Sequence, residues 1–198
     1  MKTIARAIAA GFLLAATMSF YSFAAVCEQL PEGVIRLHVV AHSDSAEDQA
    51  VKLKVRDAVL AEAAQLYKNA DTMEAANSAL CLHLDSIRLA ADKVLAEEGF
   101  SQRARVSVTQ MYFNTTDYEG FSLPAGTYRT LRVTIGEGAG HNWWCVVFPA
   151  LCLPAAEERR EDVLSRLPDP VEHPEKYRVR FKTVELYEDL KNWFDQAF

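Results

Sequence analysis

Residues 136–152 restrict what this chain can fold into more than any other stretch. Gly136-Glu137-Gly138-Ala139-Gly140-His141 leads into Asn142-Trp143-Trp144-Cys145-Val146-Val147-Phe148-Pro149-Ala150-Leu151-Cys152. Glycines at every second position call for a backbone that most residues adopt poorly. The aromatic and branched residues after them read as a short strand. Trp143 and Trp144 then point to opposite faces of it. One can fill a core, while the other is exposed or covered by the C-terminal helix. Cys145 and Cys152 bracket the end of the strand, with Pro149 between them. A chain turning back after Phe148 would bring the two sulfurs to bonding distance. The four cysteines, Cys27, Cys81, Cys145 and Cys152, allow three full pairings. They can equally be small buried hydrophobes, which suits Cys81 inside a helical pattern.

The chain has 198 residues and is 50% hydrophobic, enough for one domain with a proper core. Lys2 and Arg6 open a leader whose uncharged stretch runs from Ala7 to Val26. Ser22-Phe23-Ala24 offers small residues where a signal peptidase reads, and predicts cleavage after Ala24. A run of this length also suits an uncleaved anchor, since about 20 residues span a bilayer. Val26 before Cys27 argues against lipidation. Both readings place the remainder beyond the cytoplasm. Taking Lys2 and Arg6 from 21 basic residues leaves 19 against 27 acidic ones, a formal charge of −8. That balance speaks against nucleic acid as a partner.

Residues 1–24 are thus read as the leader, 34–153 as a single α+β domain, and 154–198 as an extension. Residues 28–33 form a linker. Val34 to Ala41 predicts a strand with Arg36 and His38 on its polar face. Ser45 and Asp48 make a capping-box-like pair ahead of a helix over 47–66. Its buried stripe is Val51, Val55, Val59, Ala63 and Leu66. A second helix is expected from residue 71 or 72 to Gly99, a left-handed cap. Strands over 105–113, 128–135 and 143–148 suggest an antiparallel meander. In the extension, residues 157–162 are charged and helical in pattern, Tyr177 to Phe181 alternates like an edge strand, and 183–198 is an amphipathic helix. The predicted fold class is α+β: two N-terminal helices on a mainly antiparallel sheet, with a C-terminal amphipathic helix.

Chemistry-bearing residues are few. His38, His42, Asp44 and Asp48 cluster near a strand end and helix start, but Ser45 and Asp48 already suit structural capping. No CxxC or Cys/His spacing marks a zinc site. A Ser43 or Ser45 triad lacks a nucleophile elbow. Gly136-x-Gly138-x-Gly140 lacks the Lys-Ser/Thr of a phosphate loop and precedes a strand, so it reads as a tight connection. No catalytic set, metal or cofactor is expected. Trp143 or Trp144 is the expected protein contact, because tryptophan is enriched at interface hot spots. Arg36, Lys52 and Arg56 are candidate charge partners on the polar faces of their elements.

Several segments together resemble the stage II sporulation protein R family of endospore-forming bacteria. They are Ile35 to Ser45, Asp48-Gln49, Leu53 to Asp57, Leu123-Pro124-Ala125-Gly126-Thr127-Tyr128 and Ile135 to Cys152. The tail resembles it loosely, through Arg180-Phe181-Lys182 and Val184-Glu185-Leu186. His42 stands where the family usually has asparagine. The resemblance implies a non-enzymatic signal. It would be made in the forespore and exported into the intermembrane space of the sporulation septum. Its implied partner is the membrane-bound aspartic protease that matures the sigma-E precursor. The competing expectations are an exported hydrolase of septal cell wall using Asp44, Asp48 and His38, and a membrane-tethered structural protein of the septum.

Overall fold

In the computed structural model, which describes residues 2–70, 72–118, 121–149, 151, 168–172 and 174–197, strand β1 (Ile35–Val40) is buried along its whole length. It lies inside a four-stranded sheet with β2 (Ala104–Phe113), β5 (Gly126–Ile135) and β6 (Asn142–Phe148), in the order β2-β5-β1-β6. β1 runs parallel to β5, with Leu37 opposite Leu131, and antiparallel to β6, with Leu37 opposite Cys145. The sheet is therefore mixed, not a meander. The loop after β5 is longer than a two-residue hairpin, so β6 need not fold back beside β5. β1, buried on both faces, takes the slot between them.

That placement overturns the expected polar face of β1. Arg36 is wholly buried and His38 is 3% exposed. Arg36 packs its guanidinium over the Tyr128 ring, 5.1 Å from the centroid. β1 is covered on both faces, so alternation with polar residues does not imply solvent here.

Helix α2 (Ala46–Leu66) begins at Ser45, whose hydroxyl accepts the Asp48 N–H. Val51, Val55, Val59 and Ala63 are buried, with Leu66 packed partly against them. The second expected helix is two helices, α3 (Met73–Leu82) and α4 (Leu84–Glu97), separated at His83. His83 leaves helical geometry at φ −117° and ψ 21°. Its ring is bonded to the Ala79 carbonyl, 2.8 Å away. Neither glycine nor proline marks this break. Gly99, at φ +79°, ends α4 in a Schellman arrangement, with the Phe100 N–H reaching the Leu95 carbonyl at 2.8 Å. Ile35, Leu37 and Val39 of β1 join Leu131, Val133, Cys145 and Val147 in one core with Val55, Leu80, Ile87 and Leu95 from the helices. The class is α+β.

These elements form one unit, Glu32–Met111 with Thr127–Arg166. The other comprises Met1–Pro31, Tyr112–Gly126 and Leu167–Phe198. It contains helix α1 (Lys2–Gln29), the hairpin of β3 (Thr116–Tyr118) and β4 (Phe121–Leu123), the short α5 (Asp169–Glu172), and α6 (Arg178–Ala197). α1 continues into the expected linker as far as Gln29, and a 3-10 turn occupies the rest of it at Leu30–Gly33. Tyr177 to Phe181 is not an edge strand. It enters α6, because Tyr177, Phe181 and Val184 recur at helical spacing and pack on Phe23 and Cys27 of α1. The charged stretch 157–162 lies outside the described residues.

Candidate functional site

Two connections meet at the end of the sheet, the turn from β1 into α2 and the glycine-rich loop from β5 to β6. The turn is fixed from within. Ser43 Oγ donates to Asp48 Oδ2 at 2.5 Å and accepts the Ser45 N–H at 3.2 Å. Gln49 Nε2 donates to the Ser43 carbonyl at 2.9 Å. The Asp48 carboxylate thus supports the helix start through Ser43, while Ser45 caps it directly.

The loop is fixed by the turn. Ala139 N–H donates to the His42 carbonyl and Gly140 N–H to the Ala41 carbonyl, each at 3.1 Å. The Glu137 N–H donates to His42 Nδ1 at 3.0 Å. His42 is thereby the acceptor that orders the loop, and its imidazole proton sits on Nε2. Gly136 and Gly138 have positive φ, +54° and +67°. A Cβ on Gly136 would also collide with His42 Nδ1, and one on Gly140 with the Ser43 carbonyl. The glycines serve close approach between two backbones, with no phosphate required.

Asp44 closes the cluster. Its Oδ1 accepts both the ring Nδ1–H and the backbone N–H of His141, at 2.5 and 2.6 Å. These bonds hold the Asp44 carboxyl below its ordinary range. Lys52 is 5% exposed, not on an open face as expected. Its Nζ donates to Gln49 Oε1 at 2.5 Å and to the His141 carbonyl at 3.0 Å. Burial lowers its pKa, and the negative charge of Asp44 opposes that shift. The stem of Lys52 is covered by the protein while its ammonium pins the loop, which explains why helical position alone misplaced it.

The tryptophans take different environments. Trp143 continues the row of Val39 and faces the helices at the end of the sheet. It is 36% exposed. The Arg56 guanidinium lies over its ring, 4.4 Å from the centroid, and is itself held by Asp57 at 2.7 Å. Trp144 is half-buried on the opposite face, stacked on His38 with 3.8 Å between ring centroids. His38 Nε2 donates to Asn142 Oδ1 at 2.8 Å. Burial is the main cause that holds His38 below its ordinary pKa. Its Nδ1 is buried with no hydrogen-bond partner among the described residues, so a proton there would go unsatisfied.

Cys145 is disulfide-bonded. Cys152 lies outside the described residues. Cys27 and Cys81 carry free thiols, and Cys81 is exposed. No group of three or more His, Cys, Asp or Glu that could hold a metal occurs among the described residues. The exposed parts of this region include Trp143, the Asp44–His141 pair and Glu137, with the half-buried Arg56 beside Trp143. Such a set suits recognition of another macromolecule, with an aromatic anchor beside paired charges. Arg36, being wholly buried, is not part of that surface. His141 and Gln49 were not among the expected site residues, and His42 was weighed only within the cluster of His38, Asp44 and Asp48. The glycine spacing pointed to a tight loop, but its partner 97 residues earlier was not visible in the pattern.

A family model for stage II sporulation protein R matches residues 31–158. The stage II sporulation protein R of Bacillus subtilis (strain 168) is 37% identical over 123 residues, covering 62% of this chain. The match spans 55% of that relative's length. No solved structure matches the chain. The matched segment includes both connections of the cluster and the whole four-stranded sheet, and on that basis the chain belongs to the stage II sporulation protein R family.

Proposed function

We propose that this protein is an exported sporulation signal that binds and activates a membrane-bound aspartic protease, which then matures the sigma-E precursor. It works in the intermembrane space of the septum and transforms no substrate itself. Family membership supports the sporulation role, and α1, long and apolar enough to cross a membrane, is compatible with export as a leader or with an anchor. The observation that carries the reading is Trp143. It stands exposed at the end of a strand whose preceding loop is pinned by Asp44, Lys52 and His42. A preorganised aromatic side chain loses little entropy on docking. The contact surface is therefore Trp143 with Arg56, flanked by Asp44 and His141. Trp144, stacked on His38 on the opposite face, lies outside this surface, and Lys52 acts through the loop.

The test is sporulation with Trp143→Ala and Arg56→Ala variants whose export and circular dichroism match the parent. Loss of a hot-spot contact costs about 2 kcal/mol, about 30-fold in affinity, and sigma-E maturation should fall accordingly. Normal maturation in every folded variant would reject this surface. An Asp44→Asn variant that binds the protease normally yet fails to signal would instead favour the hydrolase reading.

A further inference from the structure

Helix α6 has two apolar faces. Phe181 and Val184, 3% and 6% exposed, pack on Phe23 and Cys27 of α1. Tyr177 stacks on Phe23, with 5.5 Å between centroids. About half a turn away round the helix lie Leu186, Tyr187, Leu190 and Trp193, which are 70%, 54%, 52% and 59% exposed. Large side chains so exposed in a continuous stripe mark a contact surface.

The position of α6 on α1 identifies the occupant. The uncharged run Ala7 to Val26 is about 30 Å long at 1.5 Å per residue, the thickness of a bilayer's hydrocarbon core. Its side chains are open as far as Ser22, with Ile8 at 68%, Phe12 at 78% and Met18 at 65%. Phe23 and Cys27 fall at the far rim of that run, so α6 is seated where α1 leaves the hydrocarbon. Leucine, tyrosine and tryptophan on one face are the composition of a helix lying in a membrane interface. Four basic and four acidic residues in α6 cancel, so attraction to anionic lipid contributes little. The family match ends at residue 158 and does not include this helix.

We propose that α6 lies in the interface of the membrane that α1 crosses, with Leu186, Tyr187, Leu190 and Trp193 among the headgroups and upper acyl chains. The inference rests on α1 remaining in the membrane. Cleavage after Ala24 would take away Phe23, the centre of the seat for α6.

The test uses the full chain in phosphatidylcholine vesicles with brominated acyl chains, which quench tryptophan within the bilayer. Quenching should include a component that disappears in Trp193→Phe and persists in 1 M salt. A Leu186→Asp, Leu190→Asp variant with unchanged circular dichroism should lose the same component. Equal quenching in the parent and Trp193→Phe would overturn the proposal. So would Trp193 shielded in a chemically cross-linked dimer, since a second copy would then occupy the stripe. A chain extracted from vesicles by alkaline carbonate would overturn it as well. Unquenched Trp193 in a protein that still drives sigma-E maturation would remove this inference and leave the signalling role standing.

Discussion

Gly140 passes so close to the β1–α2 turn that any Cβ would meet the Ser43 carbonyl, and backbone cannot step aside as a side chain can. We expect Gly140→Ala to destabilise the protein by about 1–3 kcal/mol, the usual effect of overpacking, measured by urea denaturation. His38 gives a second test at this scale. Burial holds it below its ordinary value of 6.5, so the unfolded chain takes up a proton first as pH falls. Stability from neutral His38 is complete above about pH 6.5 and is lost as pH falls towards the folded value, with a slope of at most about 1.4 kcal/mol per pH unit. The melting temperature should therefore drop on acidification between pH 7 and 5. His38→Gln, which keeps a donor for Asn142, should flatten that drop. An unchanged profile would show that another group sets it. Residues 38 and 141 also show where sequence reading ends. The histidines are plain in the sequence, but the burial of one and the carboxylate bound by the other depend on strands distant in the chain.

Elements were legible where one signal dominated. Ser45, the stripe from Val51 to Ala63 and the cap at Gly99 fix α2 and the end of α4 from local chemistry alone. The break at His83 was hidden because no glycine or proline marks it, and because Leu80 and Ile87, seven residues apart, would suit one helix as well as two. Tyr177 to Phe181 alternates for only five residues, too few to separate strand from helix. The contact with Phe23 decides for helix. The order of strands was misjudged for a related reason, since nothing local records that β1 inserts between β5 and β6. α6 depends on that one aromatic seat. Phe181 contributes edge-on contact with Phe23, 5.4 Å between centroids. We expect Phe181→Ala to cost about 3–5 kcal/mol within its unit and to remove hydrogen-exchange protection from the amides of α6. The amides of β1 and α2 should keep theirs.

For the molecule as a whole, the two units suit different tasks. One holds a rigid cluster that presents Trp143, and the other carries the apolar α1. Sporulation follows from family membership, and export is compatible with a helix long and apolar enough to cross a membrane. The partner follows from neither, because the proposed docking belongs to a surface that the loop and turn build together. A protein that acts by docking should need no turnover and no bound metal, and should act from outside the membrane that holds its target. The decisive measurement is therefore a reconstitution. Full-length protein in vesicles is presented to the outer face of membranes containing the aspartic protease, and conversion of the sigma-E precursor is followed by gel mobility. The account expects saturable conversion that depends on the amount of protein added, is weakened about 30-fold in dose by Trp143→Ala, and is unaffected by chelators. Failure to convert the precursor at any dose, or full activity of the folded Trp143→Ala variant, would contradict it.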